Sequence, residues 1–170
     1  MHMFGRRKMN EADASILFVQ SILKAGRDTW PGLVRNVQSL LEHDTAKINQ
    51  DLAAFEFSIA CLACQAEAIP NLFPGQQGAR ILWHTLDTIR NLPFGGVAIE
   101  AFGNYKTTWS RALEQGEIPS DAVANLLCER IGLVAAVDIL GIRFRDPLLI
   151  ELIGEAVVTT PAGWWKQHSS

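Results

Sequence analysis

Residues 45–69 carry apolar side chains on two opposite sides of one predicted helix. The first set recurs at alternating spacings of four and three residues, which is a continuous helical stripe: Ile48, Leu52, Phe55, Ile59, Leu62, Ala66 and Ile69. A second set lies about 180° away, because each residue turns a helix by about 100°: Phe57, Cys61, Cys64 and Ala68. A helix that is apolar on both sides must be covered on both sides. The pattern therefore predicts the central helix of a bundle.

The composition indicates one domain with a thinly charged surface. A chain of 170 residues has a size typical of a single domain. Charged residues make up 19% of it, against a usual fraction of about 25%. Part of such a surface is expected to be covered, so we expect a homo-oligomer, most simply a homodimer, or a protein partner. The net charge of −3 provides no broad positive field, which argues against nucleic acid as a partner of the whole domain.

The two ends and the cysteines suggest a cytoplasmic protein. Residues 1–9 are interpreted as a tag scar followed by a flexible basic N-terminus. The longest run with little polarity, residues 131–142, contains twelve residues, whereas a membrane-spanning helix needs about 20. We therefore expect no membrane span. Three cysteines are an odd number without a disulfide framework, which favours a reducing compartment.

The remaining periodicities and stop signals predict an all-α fold, a single-domain bundle of about six or seven helices packed around the central hydrophobic helix. A helical domain is expected over residues 10–160, and a Trp-containing C-terminal tail over residues 161–170. An alternating strand pattern is confined to residues 142–145. Besides residues 45–69, the predicted helices cover residues 10–25, 33–41, 76–92, 94–115, 120–140 and 147–158.

Glycine, proline and capping residues set the predicted boundaries. Gly26 is interpreted as the stop of the first helix, with a turn over residues 27–31. Asp44 or Thr45 is expected to cap the central helix, and Asp146 before Pro147 to cap the last one. Residues 131–140 are apolar nearly all round and predict a second buried helix. Gly103 within a helix is expected to be tolerated if another helix crosses closely there.

Cys61 and Cys64 form a Cys-x-x-Cys pair deep inside the central helix. Two thiols at this spacing share one helix face, but a redox pair normally lies at a helix N-terminus, where the dipole lowers the thiol pKa. Structural zinc would need two further ligands, and the sequence contains no second Cys/His pair. We therefore interpret both cysteines as packed core residues.

Glu56 and Glu67 are eleven residues apart and project from nearly the same side of the central helix. If this side is an exposed edge, the two carboxylates are solvated. If it is buried, they need partners, and Arg80, Arg90, Arg111 and Arg130 are available for ion pairs. The alternative is a transition-metal site within the bundle, in which His84 and Asp87 join the two glutamates. Di-iron bundles need a Glu-x-x-His motif on two helices, and this chain has only one His-x-x-Asp.

Trp164 and Trp165 are large apolar side chains in the C-terminal tail. They either fold back onto the bundle or insert into a partner or a second subunit. Membrane anchoring is a further alternative, although no amphipathic helix accompanies them.

These patterns favour a non-enzymatic helical interaction or ligand-binding module that acts as a homo-oligomer. Its partner would be a protein or a small apolar ligand, and no cofactor is expected. The alternative is a metal- or small-molecule-binding bundle, which could be enzymatic, with Glu56, Glu67, His84 and Asp87 as its site. No serine has a convincing His and Asp companion set, and no glycine-rich loop follows a strand. No catalytic residue is therefore assigned.

Overall fold

The structure is a computed structural model that describes residues 9–40, 45, 47–133 and 136–168. These residues form an all-α single-domain bundle of six longer and two short helices, with one β-hairpin. The interpretations placed on residues 1–8 and on Asp44 lie outside the described residues. In chain order, the elements are α1 (Glu11–Leu40), α2 (Gln50–Ala66), α3 (Ile69–Leu72), α4 (Gln76–Arg90), α5 (Gly95–Glu114), α6 (Pro119–Ile131), β1 (Ala136–Ile139), β2 (Ile142–Arg145), α7 (Pro147–Thr159) and α8 (Trp164–His168).

The central position predicted for the helix within residues 45–69 is confirmed. α2 packs against α1 on one side and against α5, α6 and α7 on the others. Every residue of α2 from Glu56 to Ala66 is buried. The helix begins later than expected, because Asn49 is its N-cap. The Asn49 side chain accepts a hydrogen bond of 3.1 Å from the Leu52 backbone N–H, which satisfies one of the unpaired donors of the first turn.

The prediction of two helices over residues 10–25 and 33–41 is wrong, because α1 runs through both without a break. Gly26 is inside the helix and not at its end. Pro31 is also inside, where it supplies no N–H for the Arg27 carbonyl and favours a kink. Tertiary contacts outweigh these local costs. Trp30 is buried, its ring centroid lies 5.6 Å from that of Phe57 in α2, and its Nε1 donates to Gln50 Oε1 at 3.0 Å.

The helix predicted over residues 120–140 is confirmed only for its first half, and its buried second half over residues 131–140 is wrong. α6 ends at Ile131, and Gly132 adopts a left-handed conformation with φ 76°. The Leu133 N–H donates to the Cys128 carbonyl and the Gly132 N–H to the Glu129 carbonyl. This pair of bonds is a Schellman motif, which ends helices at glycine. The antiparallel hairpin β1–β2 follows, and Leu140 and Gly141 form its two-residue turn at φ 51° and 77°.

The expected start of the last long helix is confirmed. The Asp146 side chain accepts a 3.0 Å hydrogen bond from the Leu148 N–H, and Pro147 is the first helical residue. The following tail forms the short helix α8, which packs against α3.

Candidate functional site

Glu56 lies in a closed cluster between α2, α5 and α6. Its residue surface is only 3% exposed. The guanidinium of Arg130 donates two hydrogen bonds of 2.8 Å to the carboxylate, one to each oxygen. The Tyr105 hydroxyl donates a third, of 2.7 Å, to Oε2. A bidentate arginine and a phenol thus satisfy a buried charge, as such groups require.

The surroundings of this cluster shift two of its pKa values. Burial raises the pKa of Tyr105, and the negative charge and hydrogen bond of Glu56 raise it further. The hydrogen bond to Glu56 also raises the pKa of Arg130. Both side chains therefore hold their protons firmly. The geometry of the cluster is that of a structural ion pair, one of the alternatives left open by the sequence.

Glu67 lies eleven residues, about three turns, farther along and has a different partner. Its Oε1 is 3.2 Å from Lys106 Nζ in α5, and both side chains are 24% exposed. The geometry does not make this contact a hydrogen bond. The sequence suggested four arginines as ion-pair partners and did not suggest Lys106. The register of α5 against α2 cannot be read from either helix alone.

The residues of the alternative metal site do not converge. His84 is half-buried on α4, in a shallow depression beside Glu11 at the start of α1, and Asp87 follows one turn later. The Glu56 carboxylate instead accepts hydrogen bonds from Arg130 and Tyr105. Within the part of the chain that the structure describes, no group of three or more His, Cys, Asp or Glu side chains could hold a metal ion.

The predicted burial of Cys61 and Cys64 is confirmed. Both thiols are free and buried. Burial raises the pKa of Cys61, and the neighbouring Cys64 raises it further; burial and the charge of Glu67 raise the pKa of Cys64. The thiolate is the reactive form, and these shifts disfavour it in both cysteines.

Trp164 and Trp165 fold back onto the chain's own bundle. Their ring centroids lie 5.2 Å and 4.8 Å from that of Phe18 in α1, and Trp165 meets Phe73 edge-on at 5.6 Å. Both residues are buried. Neither ring is thus exposed for insertion into a partner, and folding back was one of the two main alternatives.

A groove of about 690 Å³ opens between α1 and the first half of α2. Three of its lining residues are charged and exposed: Arg27 and Arg35 from α1, and Asp51 from the first turn of α2. The apolar lining comes from both helices: Leu23, Trp30, Pro31, Val34, Ala54 and Phe55. We call this feature the α1/α2 groove. The sequence analysis missed it because residues 27–31 were assigned to a turn. The available signal was the helical spacing of Leu23, Arg27, Trp30 and Val34.

Residues Gln50–Leu72, which include α2 and α3, are long and apolar enough to cross a membrane by length and composition. The core helix of a water-soluble protein has the same properties, and 72% of the most apolar window of this segment is buried inside the bundle. The segment is therefore weak evidence for a span. The sequence-based expectation of no span considered residues 131–142 only, and it stays a prediction.

Fold and geometry together define an all-α single-domain bundle that carries an apolar groove of ligand size. Comparisons with models of protein families, with curated proteins and with solved structures found no match.

Proposed function

We propose that this chain is a non-enzymatic binding module that holds a small apolar ligand in the α1/α2 groove. The observation that carries the proposal is the groove itself. Its volume of about 690 Å³ falls within the range of about 300–1,000 Å³ that is typical of small-molecule sites. Most of its lining is apolar, and the half-buried Phe55 supplies aromatic surface. Small-molecule sites have this composition of apolar walls and few polar groups.

Titration with N-phenyl-1-naphthylamine, a neutral dye that fluoresces in apolar surroundings, tests the proposal. We expect saturable binding of one dye per chain. Ala54→Trp fills the groove from α2 and should weaken binding by at least about tenfold, because the indole takes the space of the dye. Ala79→Trp adds the same ring at an exposed position of α4 and should leave the affinity unchanged.

Circular dichroism and thermal unfolding establish whether each variant folds. If Ala54→Trp disturbs folding, Val34→Trp fills the same groove from α1. The proposal fails if the unchanged chain does not bind the dye saturably, or if Ala79→Trp weakens binding as much as the groove variants do.

We also propose that the module acts as a homodimer in the cytoplasm. Its low charge and two neighbouring exposed side chains at the start of α5, Phe94 and Val97, support self-association. Light scattering should give twice the chain mass, and Phe94→Ser with Val97→Ser should reduce it to a monomer. Leu148→Ser, at a similarly exposed site on α7, is the control. A monomeric unchanged chain would refute the dimer.

The three free cysteines support the cytoplasm as the location of this module, because it is a reducing compartment.

A further inference from the structure

The polar groups inside the α1/α2 groove are already bonded within the chain. Trp30 Nε1 donates to Gln50 Oε1 at 3.0 Å, and Gln50 Nε2 donates to the Thr45 carbonyl at 3.3 Å. The Ser58 hydroxyl donates to the Ala54 carbonyl at 2.6 Å. The uncharged lining therefore offers a ligand apolar contact and little hydrogen bonding. Recognition of a polar head group must come from the charged residues of the lining.

Those charged residues are two arginines and one carboxylate. Within the described part of the chain, neither Arg27 nor Arg35 makes an ion pair, and neither does Asp51. Arg80 and Arg130, by contrast, each bind a glutamate. The Arg35 guanidinium lies back along α1, since Nη2 would be 3.8 Å from a Cβ at position 32.

We infer that the ligand of the α1/α2 groove is a monoanion with an apolar body, most simply a medium-chain carboxylate, whose head group is bound by Arg27 and Arg35. This inference rests on the proposed function. Two guanidinium groups against one carboxylate give the groove lining a net positive charge. Guanidinium groups present paired N–H donors that match the two oxygens of a carboxylate. The apolar body would occupy the space between Trp30, Val34 and Phe55, where no free donor or acceptor is needed.

Displacement of N-phenyl-1-naphthylamine by octanoate and by octan-1-ol tests the inference, because the two competitors share a chain and differ in the head group. In Arg27→Gln with Arg35→Gln, octanoate should bind about tenfold more weakly, since each exposed charge pair contributes up to about fivefold in affinity. Octan-1-ol should change less than about twofold. High ionic strength should weaken octanoate binding selectively.

Two further variants sharpen the test. Asp51→Asn removes the opposing charge and should strengthen octanoate binding about threefold. Arg90→Gln with Arg111→Gln removes the same charge from exposed positions of α4 and α5 and should change nothing. The single variants Arg27→Gln and Arg35→Gln show which guanidinium binds the head group.

The outcomes separate the inference from the proposed function. If the dye binds and both arginine pairs affect octanoate equally, or if neither does, the anionic ligand is refuted and the groove remains a site for neutral molecules. If the unchanged chain binds no dye, the proposed function fails and the inference fails with it.

Discussion

Arginines on the two sides of α2 differ in whether they form an ion pair within the chain. On the side of α5 and α6, Arg130 is bound to the buried Glu56 carboxylate through two 2.8 Å hydrogen bonds. On the side of α1, Arg27 and Arg35 line a groove without an ion pair within the described residues. The first arrangement uses all its charges within the chain and serves the fold. The second leaves charges free beside an apolar surface, which is what a ligand site requires.

The difference lies in what happens when one partner is removed. A buried ion pair gains little over well-packed apolar residues, since desolvation offsets most of the attraction. Removing one member is nevertheless costly, because the other is left as a buried, uncompensated charge. An exposed, unpaired arginine leaves nothing behind when it is removed. The comparison therefore yields expectations of very different size.

The largest effect is expected for Arg130→Met. The Glu56 carboxylate would keep only the Tyr105 hydroxyl as a partner, and we expect a loss of about 3 kcal/mol in the free energy of unfolding. This value is at the lower end for a broken buried pair, because the Arg130 side chain is 24% exposed. Urea unfolding followed by circular dichroism measures it.

The double variant Glu56→Gln with Arg130→Met is the control. It removes the charge that the single variant strands, so we expect it to recover part of the lost stability. A loss below about 1 kcal/mol in Arg130→Met would show that the cluster is no more than a surface ion pair.

The next effect concerns the close crossing of α1 and α2. A Cβ at Gly26 would lie 2.5 Å from Ser58 Oγ and 2.7 Å from Ser58 Cα. We expect Gly26→Ala to destabilise the fold by about 2 kcal/mol, because the two helices must move apart. Gly103→Ala is the matched change, since a Cβ there meets no atom within 4 Å. It should stabilise α5 by up to about 1 kcal/mol, and equal effects of the two variants would contradict the crossing.

These two glycines also show what the sequence could and could not predict. It assigned Gly26 to a helix stop and expected Gly103 to be tolerated if another helix crosses closely there. In the structure, the close crossing is at Gly26, and a Cβ at Gly103 would meet no atom within 4 Å. A glycine favours either, and only the position of a second helix decides between them. The 3.6-residue periodicity predicted the all-α fold and the central α2. Asp146 and Pro147 predicted the start of α7, because a cap acts within one turn.

Elements that depend on distant contacts were predicted poorly. Residues 131–140 are apolar enough for a helix or a strand. The Schellman motif at Gly132 ends α6 and so excludes the helix. For Glu56, the sequence predicted an ion pair as one alternative but could not choose Arg130 from four arginines. The α1/α2 groove depends on Pro31 lying within a continuous helix, which local propensity opposes.

Tyr105 gives a smaller and pH-dependent effect. Burial and Glu56 raise its pKa, so the folded chain keeps the phenol proton at pH values where the unfolded chain, with a pKa of about 10, has lost it. The contribution of Tyr105 to stability is therefore complete below about pH 10 and falls above it. Tyr105→Phe should cost about 1 kcal/mol at neutral pH and should weaken this alkaline decline.

The chain contains one tyrosine, so tyrosinate absorbance reports on Tyr105 alone. It should appear near its ordinary pKa in denaturant and only with alkaline unfolding in the native protein. A native titration at the ordinary value would mean that the hydroxyl faces solvent and that the cluster is open.

The smallest effect is expected where the arginines have no partner. Arg27→Gln with Arg35→Gln should shift the unfolding temperature by less than about 2 °C, because exposed substitutions away from caps and ion pairs are nearly neutral. The comparison with Arg130→Met is then direct, since both changes remove guanidinium groups beside α2. A large loss of stability would mean that Arg27 and Arg35 serve the fold as Arg130 does. Near-neutral stability would leave them free to bind a ligand, because their loss strands no other charge.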